Sequence, residues 1–408
     1  MRYMKSPELN IESNMKKISF IIPSYNNLKH LKNAYASIQK HAPEAEVILL
    51  DDGSTDGTWD WIWELAESHQ QREVKSYRSL ERVGHTILYD RGIDLATNEI
   101  VGILHADMII GPSYIENMLK HLQPGKVVCA TRIEPPLHPE GKEKIIRDFG
   151  MDFDTLNIDA FEQFAIDSQL EYKDQTSTGM FAPWILYKTD FQAVGGHDPL
   201  FAPFPYEDSD IFQRWMLAGY ELIQSRDSFV YHLTCRGHRW NDQIGKDDDY
   251  FKLASNRSAR NYLRKWGSWI KNDEFQYPII VPKYNIAYVV YNCNLDALTA
   301  LEPWCDRIYI DDEMQLLINP YMASEQPNTS YELNTRVLRI GHNNPEGEND
   351  ITVTMDITRM SKADYTYLQQ LPEILSQSEK VLGDFRLGNL QIFVGYIETY
   401  EKDLINVS

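Results

Sequence analysis

The sequence lacks the marks of a membrane-spanning or disulfide-linked protein. Its 408 residues contain no apolar run of the ~18 residues that a transmembrane helix needs, and we find no signal-peptide pattern at the N-terminus. Only 4 cysteines are present, without any CxxC spacing, so we expect free thiols in a reducing compartment and no zinc site. The expectation is a cytoplasmic protein without a membrane span.

Positive charge is also scarce. The chain has 40 Lys and Arg residues against 60 Asp and Glu residues, and its formal charge is −20. Nucleic-acid-binding proteins usually carry a basic surface, so we expect no nucleic-acid partner. A phosphate-bearing ligand is still compatible with this charge, because a bound metal ion can supply positive charge locally. With 43% hydrophobic residues, the chain can bury a sizeable core.

Strands alternate with helices through the first part of the chain. Short apolar runs that favour strands lie at 18–22, 47–50, 74–77, 100–104 and 127–131, with helical patterns between most of them. This alternation is typical of an α/β fold with a mostly parallel sheet. Ligands bind at the carboxyl ends of the strands in such sheets. We therefore expect the polar segments 23–27, 51–56 and 105–107 to lie close together.

The segment from Ile100 to Ile110 holds the strongest candidate for a metal site. An apolar strand runs directly into His105-Ala106-Asp107. Residues two apart in an extended chain point to the same side, so the imidazole and the carboxylate can face one ligand. This pair of groups suits a divalent ion such as Mn2+. Taken alone, the triplet favours a surface turn after a strand, and the other polar groups of the sequence strengthen the metal interpretation.

Three further polar groups each have a structural and a functional interpretation. Asp51-Asp52 either cap the following helix or accept hydrogen bonds from a base or ribose. Glu207-Asp208 begin another helix, where they either offset its dipole or supply a general base for an attacking hydroxyl. His232 ends a later strand and is either a structural residue or a metal ligand.

Together these blocks resemble the family 2 glycosyltransferases of the GT-A fold. The resemblance covers about residues 17–240 and is carried by 18–27, 47–58, 105–107, 195–198, 207–210, Arg214, Gly219 and His232. It implies a Rossmann-like, mostly parallel sheet and a transferase of the hexosyltransferase class in glycan biosynthesis. Such an enzyme moves a sugar from a nucleotide-diphosphate sugar, with a UDP-sugar favoured, to a hydroxyl of a glycan, lipid-linked or protein acceptor, with inversion.

The resemblance also implies roles in catalysis and metal binding. Asp208 would be the general base, and Glu207 beside it would place the acceptor or the donor sugar. Asp107 and His232 would hold a divalent metal, Mn2+ or Mg2+. His105 replaces the first Asp of the family's Asp-x-Asp motif, and whether it binds metal, ribose or neither stays open.

Further residues would bind the donor and the acceptor. The resemblance assigns the nucleotide to Pro23, Tyr25, Asn26, Asp52, Gly84, His105 and Ala106. Gly179 and Trp184 would contact the donor or acceptor sugar. The Arg-Asn pair that the family often carries is replaced by Tyr89-Asp90, so a basic contact to the nucleotide would come from Arg82 or Arg91, or be absent.

The chain divides into three predicted parts. Residues 1–16 form a flexible N-terminal arm, 17–277 the GT-A glycosyltransferase domain, and 278–408 a smaller C-terminal α/β accessory domain. The accessory domain repeats the order of strand, polar loop, helix, strand and Asp-Asp within 285–312. We take this as the hypothesis of a degenerate half-copy, which requires a parallel sheet with the same strand order. A structural or acceptor-recognition role is favoured for it.

Two other functions compete with the preferred one. A nucleotidyltransferase with a related α/β fold would carry a Gly-rich loop with basic residues near the N-terminus, and the sequence has none. A non-catalytic protein that binds a sugar nucleotide or serves as a scaffold would have lost Asp107 or Asp208, and both are retained. A metal-dependent inverting glycosyltransferase is therefore the preferred interpretation.

Overall fold

The computed structural model describes residues 17–68, 74–236, 239–240, 243–312, 315–341, 345–377 and 382–407. The predicted N-terminal arm, residues 1–16, lies outside the described residues. The described chain forms two α/β sheets, each with its own hydrophobic core, on either side of the boundary predicted at residue 278. Among the described helices, none combines the length and the apolar character that a bilayer crossing needs.

The first sheet is built from the apolar runs of the sequence. Its strands are β1 (Ile18–Ser24), β2 (Glu46–Asp52), β3 (Val74–Ser79), β4 (Ile100–Ile103), β5 (Met108–Ile110), β6 (Lys126–Glu134), β7 (Lys144–Ile146), β8 (Thr176–Ser177), β9 (Trp184–Tyr187) and β10 (Glu221–His232). The helices of this part are α1 (Leu28–His41), α2 (Thr58–Ser68), α3 (His85–Leu95), α4 (Tyr114–Leu119), α5 (Ile158–Glu171), α6 (Lys188–Ala193), α7 (Glu207–Leu217) and α8 (Asp249–Trp266). Every residue of β1 and β2 is buried, because helices cover both faces of a parallel sheet.

The strand order of this sheet positions the candidate site. The sheet runs β3-β2-β1-β4-β9-β6-β10-β5. Strands β1 to β4 are parallel, β9 is antiparallel to both β4 and β6, and β6 is parallel to β10. The carboxyl ends of β1, β2, β4, β6 and β10 therefore lie at one edge of the sheet. The mostly parallel α/β sheet predicted from the sequence is confirmed.

The second sheet begins with the same strand order. Its strands are β11 (Ile286–Tyr291), β12 (Arg307–Ile310), β13 (Val337–Arg339), β14 (Ile351–Asp356), β15 (Gly383–Leu387) and β16 (Leu390–Val394). Its helices are α9 (Leu295–Leu301), α10 (Ile318–Glu325), α11 (Pro345–Glu348) and α12 (Lys362–Gln377). The order is β13-β12-β11-β14-β16-β15, and its first four strands are parallel. The half-copy hypothesis requires a parallel sheet with the same strand order as β3-β2-β1-β4, and these four strands meet that requirement.

Helix α8 contacts both parts of the chain. The Nζ atom of Lys265 lies 2.6 Å from Asp210 of α7, and Arg264 forms an ion pair of 2.7 Å with Glu302 of the second part. These side chains are buried, and charged groups are stable in a protein interior only when they are paired. Helix α8 therefore connects the helix that carries the acidic pair to the C-terminal part.

Candidate active site

Three side chains that could bind a metal ion, His105, Asp107 and His232, lie at the edge of the first sheet where the carboxyl ends of its strands meet. They are called the metal-capable group below. His105 and Asp107 follow β4, and His232 is the last residue of β10, so three separate positions of the sequence meet there. Their ligand atoms lie within 4.8 Å of one another, and they form the only such group found within the described residues. Asp107 is 3% exposed and His232 is 6% exposed. The predicted metal ligands are therefore adjacent and shielded from bulk water.

A second carboxylate orients the imidazole of His232. The Nδ1 atom of His232 lies 3.0 Å from an oxygen of Glu134, at the end of β6. Its Nε2 atom has no hydrogen-bond partner and lies 3.6 Å from Asp107 Oδ1. A carboxylate on one ring nitrogen, with the other nitrogen facing the site, is the usual arrangement around a metal-ligating histidine. These residues therefore fit a divalent ion that prefers nitrogen and oxygen ligands.

Two cations hold Glu134 in its ionised form. Arg132 donates to it at 2.7 Å and Lys144 at 2.9 Å. Burial alone would raise the pKa of Glu134, but Arg132, His232 and Lys144 hold that pKa well below its ordinary value. The carboxylate is therefore a permanent hydrogen-bond acceptor for His232.

Arg236 adds positive charge next to this group. Its backbone N–H donates to Asp107 Oδ2 at 3.0 Å, and its side chain donates to the carbonyl of Met151. Arg236 is 7% exposed, and its Nε and Nη1 atoms have no hydrogen-bond partner. A buried guanidinium with free donors can bind phosphate oxygens.

The metal-capable group opens into a cavity of about 550 Å³. Pro23 and Tyr25 from the end of β1, Asp52 from the end of β2, and Arg82 line one end of it. The guanidinium of Arg82 lies 3.9 Å from the ring centre of Tyr25 and 4.3 Å from that of Tyr250. These cation–π contacts hold a positive charge at the end of the cavity where the sequence predicts the nucleotide.

Asp52 shapes the loop that borders this end. Its carboxylate accepts hydrogen bonds from the backbone N–H groups of Val83 at 2.7 Å and Gly84 at 3.0 Å. Burial raises the pKa of Asp52. Gly84 has a φ of 87°, and a Cβ there would lie 2.2 Å from Pro203 Cα. Gly84 therefore lets the backbone pass Pro203, and it does so without lining the cavity itself.

The two acidic residues at the start of α7, Glu207 and Asp208, differ in how readily each takes up a proton. Oε1 of Glu207 lies 2.7 Å from Nε2 of His85. Burial opposes the ionisation of Glu207, but His85 holds its pKa below the ordinary value. Burial, and then the charge of Glu207, raises the pKa of Asp208 to about 7. One carboxylate therefore stays charged while its neighbour can take up a proton near neutral pH.

The sequence-predicted residues converge on this cavity with four exceptions, which are Asn26, Gly84, Gly179 and Trp184. Those that line it are Pro23, Tyr25, Asp52, His105, Ala106, Asp107, Glu207, Asp208 and His232. Trp184 does not: it is fully buried in β9 and packs edge-to-face on Trp215 at 5.1 Å. Gly179 is buried beside Gln224, where a Cβ would lie 2.3 Å from the amide oxygen. The sugar contacts predicted for these two residues are therefore wrong.

Asn26 also lies outside the cavity lining. Its side-chain oxygen accepts a hydrogen bond of 2.8 Å from the backbone of Thr55, and its own N–H donates to Ser54. These bonds join the loop after β1 to the loop after β2. Asn26 therefore links the two loops that carry Tyr25 and Asp52, and the nucleotide contact predicted for it stays a prediction.

Sequence reasoning missed several residues of the site. Arg132 and Glu134 were overlooked because the strand was predicted to end at Thr131, whereas β6 continues to Glu134. The available signal was a pair of opposite charges two apart, directly after an apolar run. His85 was also missed. Its contact with Glu207 joins segments that are far apart in the sequence, so no local sequence pattern indicates it.

The metal-capable group and the acidic pair thus lie together at the carboxyl edge of a mostly parallel sheet. Residues 19–182 match the family model described as glycosyl transferase family 2. The match confirms the resemblance drawn from the sequence motifs and, with the sheet order, the predicted GT-A type of fold.

Several known proteins are similar to this chain. Validoxylamine A glucosyltransferase from Streptomyces hygroscopicus subsp. limoneus is 29% identical over 246 residues, which are 53% of this chain and 51% of that protein. Dolichol-phosphate mannosyltransferase from Pyrococcus furiosus is 27% identical over 28% of this chain and 32% of its own length. A solved structure of GalNAc-T7 with UDP, GalNAc and Mn2+ gives a TM-score of 0.45 at 16% identity, over 65% of this chain and 49% of that one. The chain spans about half the length of the first-named relative.

Proposed function

We propose that this protein is a metal-dependent inverting glycosyltransferase of the hexosyltransferase class. It would move a sugar from a nucleotide-diphosphate sugar to a hydroxyl acceptor. The observation that carries the proposal is the meeting, in one cavity, of the metal-capable group with Asp208, whose pKa burial raises to about 7. The match of residues 19–182 to the glycosyl transferase family 2 model supports the same proposal.

The nucleotide end of the cavity supports a nucleotide-diphosphate donor. Tyr25 and Asp52 would hold the base and the ribose, with Arg82 as the basic contact. Asp107 and His232 would hold Mn2+ or Mg2+, with His105 as a third ligand. The metal would offset the charge that develops on the departing diphosphate. Arg236 would share this task, because its free donors are buried beside Asp107.

Asp208 would act as the general base of the transfer. It would take the proton of the acceptor hydroxyl while that oxygen forms a bond to the anomeric carbon of the donor. The bond between the anomeric carbon and the diphosphate oxygen breaks, and the nucleoside diphosphate leaves with the electron pair. A single displacement of this kind inverts the anomeric configuration. Glu207, kept charged by His85, would raise the proton affinity of Asp208.

The choice of donor and acceptor takes support from the relatives. The name of one relative assigns glucosyl transfer to validoxylamine A. We propose a UDP-hexose as the preferred donor and a glycan-like acceptor, with lipid-linked and protein acceptors as alternatives. A cytoplasmic location is part of this proposal.

A donor-turnover assay tests the proposal. The protein is incubated with UDP-, GDP- and dTDP-hexoses and Mn2+, with validoxylamine A as one acceptor, and nucleoside diphosphate release is followed. Asp208→Asn should lower turnover by about 100- to 10,000-fold, as loss of a general base does, and leave nucleotide binding intact. Asp60→Asn, at an exposed position of α2, is the matched control. Nucleotide binding without turnover by the wild type would favour the non-catalytic alternative.

A further inference from the structure

The cavity has a second end on the β6 side of the sheet, where β4 and β9 separate it from β1 and β2 at the nucleotide end. This end is lined by Arg132, Glu134, Glu143, Lys144 and Phe181, among others. These residues come from β6, β7 and the segments beside β7 and β9. The nucleotide is proposed to bind at the opposite end, which leaves this region for the second substrate.

Glu143 has an unsatisfied carboxylate oxygen at this end. The residue is 4% exposed, and its Oε1 atom accepts a hydrogen bond of 3.3 Å from Arg132. Its Oε2 atom is buried without a hydrogen-bond partner. Leaving a buried carboxylate oxygen unpaired is costly, so such atoms are found where a ligand supplies the missing donor.

A glycine makes room for this oxygen. A Cβ at Gly141 would lie 2.1 Å from Glu143 Oε2. Any side chain at position 141 would therefore push the carboxylate from its place. The position thus offers a way to disturb Glu143 without removing its charge.

Phe181 supplies an aromatic surface beside Glu143. Its ring is partly exposed and lines the cavity. The guanidinium of Arg132 lies 3.7 Å from the ring centre and fixes its position. Arg132 and Lys144 form ion pairs with Glu134 and Glu143, and these paired charges suit a neutral ligand with hydroxyl groups.

We propose that Glu143 and Phe181 form the acceptor subsite for a neutral saccharide. An apolar face of the sugar ring packs on Phe181, and a sugar hydroxyl donates to Glu143 Oε2. The inference rests on the proposed function, because it assigns the second substrate of the same reaction. It adds the chemical class of the acceptor and the two residues that select it.

Two reactions of the same protein test the subsite. Hydrolysis of the donor needs no acceptor, whereas transfer to methyl glucosides, galactosides and mannosides does. In Glu143→Gln and in Gly141→Ala, we expect KM for the accepted glycoside to rise about 10- to 100-fold, as loss of a hydrogen bond to a charged group predicts. Donor hydrolysis and the Kd for nucleotide with Mn2+ are measured in the same variants, and the rise in KM for the glycoside should exceed any change in either. Glu64→Gln, at an exposed position of α2, is the control.

The outcomes separate the two proposals. If the wild type hydrolyses the donor but no glycoside of the panel raises nucleotide release or binds, the saccharide subsite is wrong and the proposed function stands. If both variants keep the wild-type KM, Glu143 does not bind the acceptor. If the wild type neither binds nucleotide nor hydrolyses any donor, both proposals fail together.

Discussion

The two sheets of this chain share a framework but differ in what their loops do. Strands β3-β2-β1-β4 and β13-β12-β11-β14 are parallel and have the same order. An Asn precedes the helix after the first strand in both, as Asn27 and Asn294, and an Asp-Asp pair ends or follows the second strand in both. The shared framework alone therefore does not explain why the candidate site lies at only one of these edges.

The difference lies in where the polar side chains form their hydrogen bonds. Asn294 caps its own helix, whereas the amide of Asn27 reaches the carbonyl of Arg236. Asp312 accepts three backbone N–H groups from residues 316–318 at 2.8 to 2.9 Å. Asp52 instead reaches across to the loop at 83–84. The two edges therefore differ at this pair of aspartates, although Asp311 of the second sheet also accepts N–H groups from the loop at 292–293.

If the first sheet alone carries the site, the largest loss of nucleotide binding is expected when one of its proposed metal ligands is removed. His232→Ala should weaken Mn2+-dependent nucleotide binding by about 100-fold or more, since even a residue behind a ligand contributes 10- to 100-fold. Isothermal titration calorimetry with the nucleotide, in the presence and absence of Mn2+, measures this affinity. His41→Ala, at the far end of α1, is the control. Unchanged affinity in His232→Ala would remove the metal from the site.

The next effect concerns the carboxylate behind the ligand. Glu134→Gln keeps the shape of the side chain but removes the charge that orients His232. We expect Mn2+ affinity to fall by about 10- to 100-fold while metal-free nucleotide binding is kept. A variant with wild-type Mn2+ affinity would show that His232 needs no such partner.

The pH dependence of the reaction tests the base. Burial, and then the charge of Glu207, raises the pKa of Asp208 to about 7. Only the deprotonated carboxylate can accept a proton, so kcat/KM should fall about tenfold per pH unit below that pKa and level off above it. The Kd of nucleotide with Mn2+ over the same range is the control, because it reports changes in donor and metal binding separately from the base. A pH-independent rate would contradict the base role.

The smallest effects are expected from Asp52 and Asp312, which are the second residues of the Asp-Asp pairs in the two sheets. Asp52→Asn should weaken nucleotide binding by about tenfold, the loss expected for a charged acceptor. Asp312→Asn should leave binding and transfer unchanged and reduce unfolding stability by about 1–3 kcal/mol, because hydrogen bonds to a buried carboxylate are weakened. Nucleotide titration and thermal unfolding of both variants measure this. An equal loss of transfer in both would mean that the second edge also takes part in the reaction.

The sequence predicted which edge of the sheet carries the candidate site better than it predicted the residues that line the cavity. Alternating strands and helices place carboxyl ends together, so Asp52, Asp107 and His232 could be expected to meet. Trp184 was misassigned because an aromatic residue after a polar loop has the same local pattern in a core as in a sugar site. The contact between His85 and Glu207 depends on packing between α3 and α7, which no local pattern encodes.

Thermal unfolding with nucleotides tests the central claim most directly. The protein is heated with UDP, GDP, CDP or dTDP, each with Mn2+, Mg2+ or EDTA. A ligand at about 100 times its Kd adds ~2.7 kcal/mol to the free energy of unfolding, which is easily seen. We predict stabilisation by one nucleotide, UDP first, in the presence of metal and its loss in EDTA. Equal stabilisation with EDTA would contradict the metal site, and no stabilisation by any nucleotide would contradict the glycosyltransferase proposal.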